Sequence, residues 1–364
     1  MERIEQFDLN ELKHEIYGWQ VKAPSDNIRA QIKRNWDAMA KPLDSMGVFE
    51  DMVARIGAIL GTEKPDISRR ALIIMCADNG VVEEGISQSG QEVTAIVTRD
   101  MGIGRSNVCH MAKAVGCDTI PVDIGINSDE VFDGVLDKKV RKGTRNFAIE
   151  PAMTEAEMYQ AICTGMEIVR ECKEKGYTML ATGEMSIGNT TTSSAIAAGL
   201  LGLDACAVVG RGAGLSDEGL LKKRKVVQEA YDRYKLYDFI APEVLRCVGG
   251  LDIAGLVGVY LGGCRYEIPV VVDGAISLVA AYVAEQLRPG AKDYMIASHK
   301  SREPLCEMLL EELGLNACID AGMALGEGTG AVMLLGILDT VMALYDNNRS
   351  FEDISMKPYE RFGK

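Results

Sequence analysis

Ala71-Leu-Ile-Ile-Met-Cys-Ala77 is the stretch that decides the fold, because it is apolar throughout and shows no alternation with polar residues. A strand with this composition is buried on both faces, as in a parallel sheet covered by helices. The same pattern recurs in five further short runs: Thr119–Ile124, Tyr177–Thr182, Ala205–Val209, Ile268–Asp273 and Asp293–Ser298. Each run predicts a buried strand.

Longer helical patterns separate these runs. Thr154 and Glu157 have capping-box spacing before an apolar-periodic stretch that ends near Lys175, and Gly176 follows as a stop signal. Further helices are predicted from Asp217 onward and at Ala275–Gln286, Glu303–Leu313 and Thr329–Leu344. Alternation of strand and helix predicts an α/β fold with a doubly wound, mainly parallel, Rossmann-like sheet.

The two ends of the chain differ from the middle. Residues 1–65 have helical patterns without a clear strand, and the tail after Ala343 is polar. We therefore expect an α/β catalytic domain at residues 66–330. Residues 1–65 and the C-terminal helix and tail at 331–364 are expected to form a small helical domain beside it.

Composition excludes several classes of protein. The net charge of -14 argues against nucleic acid as a partner, because phosphate backbones require a clustered positive surface. The acidic N-terminus does not have the apolar core of a signal peptide, and no apolar run reaches the ~18 residues of a membrane span. None of the ten cysteines has a metal-ligand spacing, so we expect reduced, buried thiols and a cytoplasmic protein.

The segment Gly183-Glu-Met-Ser-Ile-Gly-Asn-Thr-Thr-Thr192 follows a predicted strand. Ligands of open α/β sheets bind beyond the carboxyl ends of the strands. Gly188 lets the backbone approach a ligand, while Ser186, Asn189 and Thr190 offer polar groups where the next helix begins and phosphate can bind. An ordinary strand-to-helix turn would have the same composition.

A second glycine loop, Gly210-Arg-Gly-Ala-Gly-Leu215, follows the predicted strand at Ala205–Val209. Lys222–Lys225 lies on the next helix and could place one or two cations near a bound phosphate or carboxylate. The alternative is a solvated basic face, which is the usual place of a charge run.

Glu327 lies between glycines in Leu325-Gly-Glu-Gly-Thr-Gly-Ala331, before a strongly apolar helix. Glycine neighbours keep a carboxylate accessible and let a flat ring approach, which a general base requires. The alternative is a solvated residue in a turn. Asn79, Asp273 and His299 also follow predicted strands, but a lone histidine is more often structural than catalytic.

Together these segments resemble the nicotinate-nucleotide–dimethylbenzimidazole phosphoribosyltransferase family, in the family's order and over about residues 40 to 345. The most specific matches are GEMSIGNTT, within ATGEMSIGNTT at Ala181–Thr191, and LGEGTGA at Leu325–Ala331. GRGAGLSDEGLLKKR at Gly210–Arg224 also matches. The other matches are KPLDSMG at Lys41–Gly47, MCADNGVVEEG at Met75–Gly85, QEVTAIV at Gln91–Val97, VDIGI at Val122–Ile126, VGGLDIAGLVG at Val248–Gly258, VVVDG at Val270–Gly274 and ASHKSREP at Ala297–Pro304.

The resemblance implies transfer of phosphoribose from nicotinate mononucleotide to a benzimidazole-type base, by a homodimer without a metal or cofactor. Glu327 matches the family's general base, Glu184 a second carboxylate near ribose and base, and Lys223 a lysine near the phosphate. The loops around Gly188, Gly210, Gly212 and Gly214 would supply backbone amides to the phosphate. The positions that would face the base are Ser89, Val97 and Leu325.

Three departures from the family pattern affect what the resemblance implies. Asn79 stands where the family usually has His, Ser186 where Gly is common, and Val97 where some members have Gln. These changes leave the identity of the acceptor base open.

A dinucleotide-dependent oxidoreductase is disfavoured because no GxGxxG follows the first strand. A non-catalytic or partner-dependent homologue that binds nucleotide stays as the alternative function.

Overall fold

A single parallel sheet forms the centre of the computed structural model, which describes residues 8 to 362. The sheet has six strands, ordered β3-β2-β1-β4-β5-β6. Every neighbouring pair in it is parallel. The strands are β1 Arg70–Ala77, β2 Cys117–Gly125, β3 Leu136–Asp137, β4 Met179–Met185, β5 Val270–Val272 and β6 Met295–Ala297. This order reverses direction between β1 and β4, and it confirms the predicted doubly wound α/β fold.

Within the described residues, fourteen helices accompany the sheet. They are α1 Leu9–Tyr17, α2 Asp26–Ala38, α3 Val48–Leu60, α4 Glu92–Gly102, α5 Asn107–Ala114, α6 Glu155–Glu174, α7 Asn189–Leu201, α8 Ala205–Val208, α9 Asp217–Tyr234, α10 Ala241–Val248, α11 Leu251–Arg265, α12 Ala275–Leu287, α13 Leu305–Leu313 and α14 Thr329–Asp346. The capping box predicted for α6 is present: the Thr154 hydroxyl accepts from the Glu157 amide, and Glu157 accepts from the Thr154 amide.

β1 shows why an uninterrupted apolar run specifies this architecture. Successive side chains of a strand point to opposite faces of the sheet. Ala71, Ile73 and Met75 belong to a core that contains residues of α6, α11 and α12. Leu72 and Ile74 belong to a second core that contains residues of α2, α3, α5 and α14. Both faces of the sheet are therefore covered, and no position in the run needs a polar residue.

The predicted strand at Ala205–Val209 is wrong, because Ala205–Val208 is the short helix α8. No position for another strand exists between β4 and β5, which pair directly with each other. The Ala205 amide instead donates to Oε1 of Gln228 on α9, and the Ser194 hydroxyl of α7 donates to the carbonyl oxygen of Val208. A short apolar run does not distinguish a strand from a buried helical turn.

β4 is longer than its apolar run predicts. It continues through Met185, because Ile74–Cys76 of β1 pairs with Gly183–Met185. Glu184 therefore lies on the buried strand itself and not in the loop that follows it. A rigid strand, and not a loop, fixes the position of this carboxylate.

Segments from the two ends of the chain meet beside the sheet. Met39 forms a β-bridge with Ser350, and the ring centroids of Trp36 and Tyr345 are 5.0 Å apart. α1 lies elsewhere, in the core on the other face of the sheet. The boundaries proposed at residues 66 and 331 stay predictions, and residues 1–7 and 363–364 of the predicted end segments lie outside the described part.

α14 is the one helix in residues 8–362 with the length and apolar composition of a membrane span, and more than half of it is buried inside the protein. Its Asp339 carboxylate accepts two hydrogen bonds of 2.7 Å from the buried guanidinium of Arg70 on β1. The loop that contains Glu327 leads directly into the N-terminal end of α14. α14 is therefore a core helix that positions this loop.

Candidate active site

A cavity of about 300 Å³ opens at the carboxyl edge of the sheet, beyond β4, β5 and β6. Its wall consists of Val93, Val97, Glu184, Met185, Ser186, Ile187, Asn189, Thr190, Gly212, Ala213, Asp273, Gly274, Ala275, Ile276, Ser277, His299, Ser301, Glu303, Ala324, Leu325, Gly326 and Glu327. The position is where open α/β sheets bind ligands. The wall combines apolar side chains with several acids, which suits a ligand with both a ring and polar groups.

Glu184 projects into this cavity from the end of β4 and is almost completely buried. The side-chain amide of Asn189, the first residue of α7, donates to Oε2 of Glu184 and, at 3.3 Å, to Oδ2 of Asp252. Burial, followed by the negative charge of Asp252, raises the pKa of Glu184 to about 8. One amide therefore links two buried acids.

Glu327 has a left-handed backbone conformation, with φ of 61°, between Gly326 at 83° and Gly328 at 94°. A residue with a side chain rarely adopts this conformation, and the strain costs about 1–3 kcal/mol where it occurs. The turn directs the carboxylate to the first turn of α5, where it accepts from the Val108 amide at 3.2 Å and from Nδ2 of Asn107 at 3.5 Å. The strained turn thus fixes an acid in the cavity wall.

Gly183 explains how this turn fits against the sheet. A side chain at residue 183 would collide with the backbone carbonyl of Glu327. The close approach of β4 to the turn is therefore possible only with glycine at this position. The same approach brings Oε1 of Glu184 within 2.8 Å of the position that a Cβ atom on Gly326 would occupy, so the Glu184 carboxylate lies against the residue that precedes Glu327.

Lys223 is the fully buried member of the basic run on α9, and its Nζ donates to Oγ1 of Thr190 at 2.8 Å. Burial lowers the pKa of its ammonium group to about 8, although the negative charge of Glu303 opposes this shift. Thr190 and Gly212 line the cavity between Lys223 and the open space. The side chain is therefore a cation placed directly behind the wall.

Glu303 occupies the loop between β6 and α13 and lines the same end of the cavity. Its Oε1 accepts from the Gly212 amide at 2.9 Å, and its Oε2 is buried without a hydrogen-bond partner among the described residues. An acid therefore contacts the glycine loop whose amides the sequence assigns to a phosphate.

Asp273 and His299 stand at the ends of β5 and β6. Oδ1 of Asp273 accepts from the Gly330 and Ala331 amides at 2.8 and 3.1 Å, and it lies 3.8 Å from Nδ1 of His299. Burial raises the pKa of Asp273, while His299 and the two amides oppose the increase. Asp273 therefore anchors the beginning of α14, and both residues line the cavity.

The structure brings most of the predicted site residues to this one cavity. Those that line it are Glu184, Ser186, Asn189, Thr190, Gly212, Glu327, Val97 and Leu325. Lys223 lies directly behind Thr190. The other four predicted residues are not part of the wall either: Gly188 begins α7 with φ of 93°, Gly210 packs on Glu303, Gly214 lies beside Gln88, and Ser89 lies in the loop before α4.

Sequence reasoning missed Asp252 and Glu303. Asp252 is the single acid of the otherwise apolar α11, and an acid in the first turn of a helix is commonly explained by the helix dipole. Its complete burial is what distinguishes it. Glu303 could have been noticed beside Ser301, directly after a predicted strand.

All ten cysteines are free, and seven of them are buried, as the composition predicted. Among residues 8–362, no group of three or more His, Cys, Asp or Glu side chains is arranged to hold a metal ion. The groups that the wall offers for chemistry are its carboxylates, hydroxyls, amides and the His299 imidazole, with the Lys223 ammonium group directly behind it.

Comparison with known proteins gives consistent matches. A family model described as phosphoribosyltransferase matches residues 21–355. The nicotinate-nucleotide–dimethylbenzimidazole phosphoribosyltransferase of Clostridium perfringens strain 13 is 40% identical over 333 residues, which are 92% of each chain. The enzyme of that name from Acetivibrio thermocellus is 42% identical over 339 residues, 93% of this chain and 95% of the relative.

Solved structures agree with these relatives. The crystal structure of CobT from Thermus thermophilus superposes with a TM-score of 0.86 at 37% identity, and the match covers 91% of this chain and 99% of that one. The similarity therefore extends over nearly the whole of both chains. The chain belongs to the nicotinate-nucleotide–dimethylbenzimidazole phosphoribosyltransferase family.

Proposed function

We propose that this protein transfers the 5-phosphoribosyl group of nicotinate mononucleotide to 5,6-dimethylbenzimidazole or a related lower-ligand base of cobamides. The products are the α-nucleotide phosphate of the base, α-ribazole phosphate for dimethylbenzimidazole, and nicotinate. The observation that carries the proposal is the arrangement of Glu327 in the wall of one cavity and Lys223 directly behind that wall, within a chain that belongs to this family.

The reaction is a displacement at C1′ of the ribose. A ring nitrogen of the base forms the new C–N bond, and the bond from C1′ to the pyridinium nitrogen breaks with its electron pair going to nicotinate. The leaving group is already cationic, so it needs no proton. The second nitrogen of the attacking base carries a proton that must leave, and the Glu327 carboxylate is the group that we assign to accept it.

The nucleotide phosphate would bind at the part of the wall that lies in front of Lys223. Lys223 supplies the charge, Thr190 the hydroxyl, and the loops at Gly188 and Gly210–Gly214 the backbone amides. Binding there requires the Gly212 amide to exchange its bond to Glu303 for one to phosphate. The base would stack between the half-buried Val97 and the exposed Leu325, with Ser89 of the loop before α4 as a further contact.

A catalytically silent homologue that only binds nucleotide is the alternative. Glu327, Glu184 and Lys223 are all present in the cavity region, and a protein without activity would not need a strained turn to hold an acid. The alternative is thus less well supported than an active enzyme.

The test is product formation from nicotinate mononucleotide with dimethylbenzimidazole, benzimidazole, adenine and p-cresol, followed by mass spectrometry. A phosphoribosylated base together with equimolar nicotinate is the expected result. Nucleotide binding without product from any base would contradict the proposal and favour the partner-dependent homologue.

We further propose that the enzyme is a cytoplasmic homodimer. Ten free thiols support a reducing compartment. Sedimentation velocity of the purified chain tests the dimer, and a single monomeric species at micromolar concentration would contradict it.

A further inference from the structure

Asp252 lies in the first turn of α11 and has no exposed surface. It is not part of the cavity wall, so it cannot contact a substrate directly. A buried carboxylate on an apolar helix is unfavourable unless polar groups surround it. Its neighbours therefore indicate what it does.

Asp252 and Glu184 share one donor. The Asn189 amide donates to both carboxyl groups, which places the two acids on either side of a single side chain. Asn189 cannot turn to another partner without breaking a buried hydrogen bond. Asp252 therefore determines how Asn189 presents its N–H groups to Glu184.

The other oxygen of Asp252, Oδ1, faces the side chain of Asn79. Both Oδ1 atoms are buried without a hydrogen-bond partner among the described residues, and both lie against Gly250. Nδ2 of Asn79 donates to Oγ of Ser186 at 2.7 Å and to the Ile187 carbonyl oxygen at 3.5 Å, and not to Asp252. The side-chain amide that donates to Asp252 is that of Asn189.

Burial and hydrogen bonding have opposite effects on the ionisation of Asp252. Burial raises the pKa of Asp252 to about 6, while Asn189 and the Ile253 amide oppose the increase. At pH 7 to 8 the carboxyl group is consequently mainly ionised. The beginning of α11 contributes further, because helix N-termini stabilise negative charge.

Glu184 is surrounded by acids. Asp252 faces it from α11, Asp273 from the end of β5, and Glu327 from the turn before α14. The Cys76 thiol of β1 is also near, and no Lys or Arg in residues 8–362 forms an ion pair with Glu184. Its Oε2 is occupied by Asn189, while Oε1 faces Gly326 at the cavity wall. A proton on Oε1 would point toward a bound substrate.

We propose that ionised Asp252 is a positioning residue that holds the Asn189 amide against Glu184 and, by its own negative charge, keeps Glu184 protonated at neutral pH. Glu184 then meets the substrate as a hydrogen-bond donor to a ribose oxygen, and Glu327 acts as the ionised base. The inference rests on the proposed transferase activity. It assigns opposite protonation states to the two acids of the site.

The first test is the dependence of kcat on pH for the wild type, Asp252→Asn and Glu184→Gln, at saturating nucleotide so that bound phosphate keeps Lys223 charged. The wild type is expected to lose activity as pH rises through about 8, where Glu184 ionises. Removing the charge of Asp252 lowers the pKa of Glu184, so the basic limb of Asp252→Asn moves down by about one pH unit. A glutamine side chain donates a hydrogen bond but does not ionise. The kcat of Glu184→Gln should therefore no longer fall at basic pH, and this variant should retain more activity than Glu184→Ala.

If Asp252 had a purely structural role, Asp252→Asn would lower kcat without moving the basic limb of the pH profile. That result, or a shift of the limb to higher pH, would overturn the inference.

The second test needs neither turnover nor a folded Asp252 variant. The infrared difference spectrum between wild type and Glu184→Gln at neutral pH should contain the C=O stretch of a protonated acid. A difference spectrum that contains carboxylate bands and no C=O stretch of a protonated acid would refute the inference. Absence of turnover in the wild type would count against the transferase proposal alone.

Discussion

Lys223 donates a 2.8 Å hydrogen bond to Thr190 from a completely buried position, behind the wall of the candidate active site. Burial lowers the pKa of this ammonium group to about 8. A charge in such a place destabilises the folded protein, since the unfolded chain holds its proton more tightly. The proposed nucleotide phosphate would offset this disadvantage by pairing with the buried ammonium group.

Lys223→Met is expected to weaken binding of nicotinate mononucleotide about 10- to 100-fold, because a charge-assisted hydrogen bond is lost. The same change should raise the midpoint of thermal unfolding at neutral pH, because it removes the buried charge. Calorimetry of binding and of unfolding measures both effects. Lys225→Met, at an exposed site paired with Glu229, is the control and should change neither.

The pH dependence of the wild type follows from the same group. The pKa of Lys223 is lower in the folded than in the unfolded chain, so the destabilisation is present below about 8 and disappears as pH rises toward the ordinary value of 10.5. Between these two pH values the folded protein loses the Lys223 charge, so its affinity for the nucleotide should fall while its stability rises. Affinity that stays constant from about pH 7 to 9.5 would contradict a phosphate contact.

Glu327→Gln should preserve the fold and nucleotide binding and lower kcat by about 10²–10⁴, since the amide cannot accept the proton of the attacking base. Single-turnover measurements with saturating nucleotide and base provide the number. Glu307→Gln on α13 is a suitable control, because that acid is exposed and only paired with Lys300. Near-normal turnover of Glu327→Gln would remove Glu327 from the role of base.

Gly183→Ala is expected to displace the turn at Glu327, because the added methyl group meets its backbone carbonyl. A shift of about 1 Å in a catalytic group lowers turnover on the order of 100-fold. Gly116→Asn is the matched control: Gly116 has φ of 61° and open space around it, and Asn tolerates that conformation. Equal kcat in the two variants would show that the close approach has no catalytic role.

The sequence predicted the sheet because continuous apolar runs such as Ala71–Ala77 have one physical interpretation, burial on both faces. It failed at Ala205–Val208, where four apolar residues are compatible with a strand or a helical turn. The apolar pattern also predicted that β4 ends at Thr182, whereas pairing with β1 extends the strand through Gly183–Met185. Pairing is a tertiary property that no local pattern contains.

The candidate site was predictable where residue type and neighbours were unusual together. Glu327 between glycines is one example, and its left-handed backbone agrees with that pattern. Asp252 was not predictable, because an acid in the first turn of a helix is ordinary until its burial is known. Lys223 differs from Lys222 and Lys225 only by its direction on α9, so the basic run alone could not identify it.

Val97 provides the last prediction, on the choice of base. It lines the cavity from α4, and it stands where related sequences with Gln would present an amide. With the base bound as proposed, Val97→Gln would place a polar group against the methyl groups of dimethylbenzimidazole, and an amide without a hydrogen-bond partner there is unfavourable. We expect kcat/KM to fall more for dimethylbenzimidazole than for adenine, whose ring nitrogens can accept from the amide.

Competition between dimethylbenzimidazole and adenine in one reaction, with products quantified by mass spectrometry, measures this ratio directly. Ile96→Gln on the same helix is the control, because Ile96 is exposed and outside the wall. An apolar contact of one or two methyl groups corresponds to about 1–3 kcal/mol, so the ratio should change by about 10- to 100-fold. An unchanged ratio in Val97→Gln would place the base elsewhere in the cavity, away from α4.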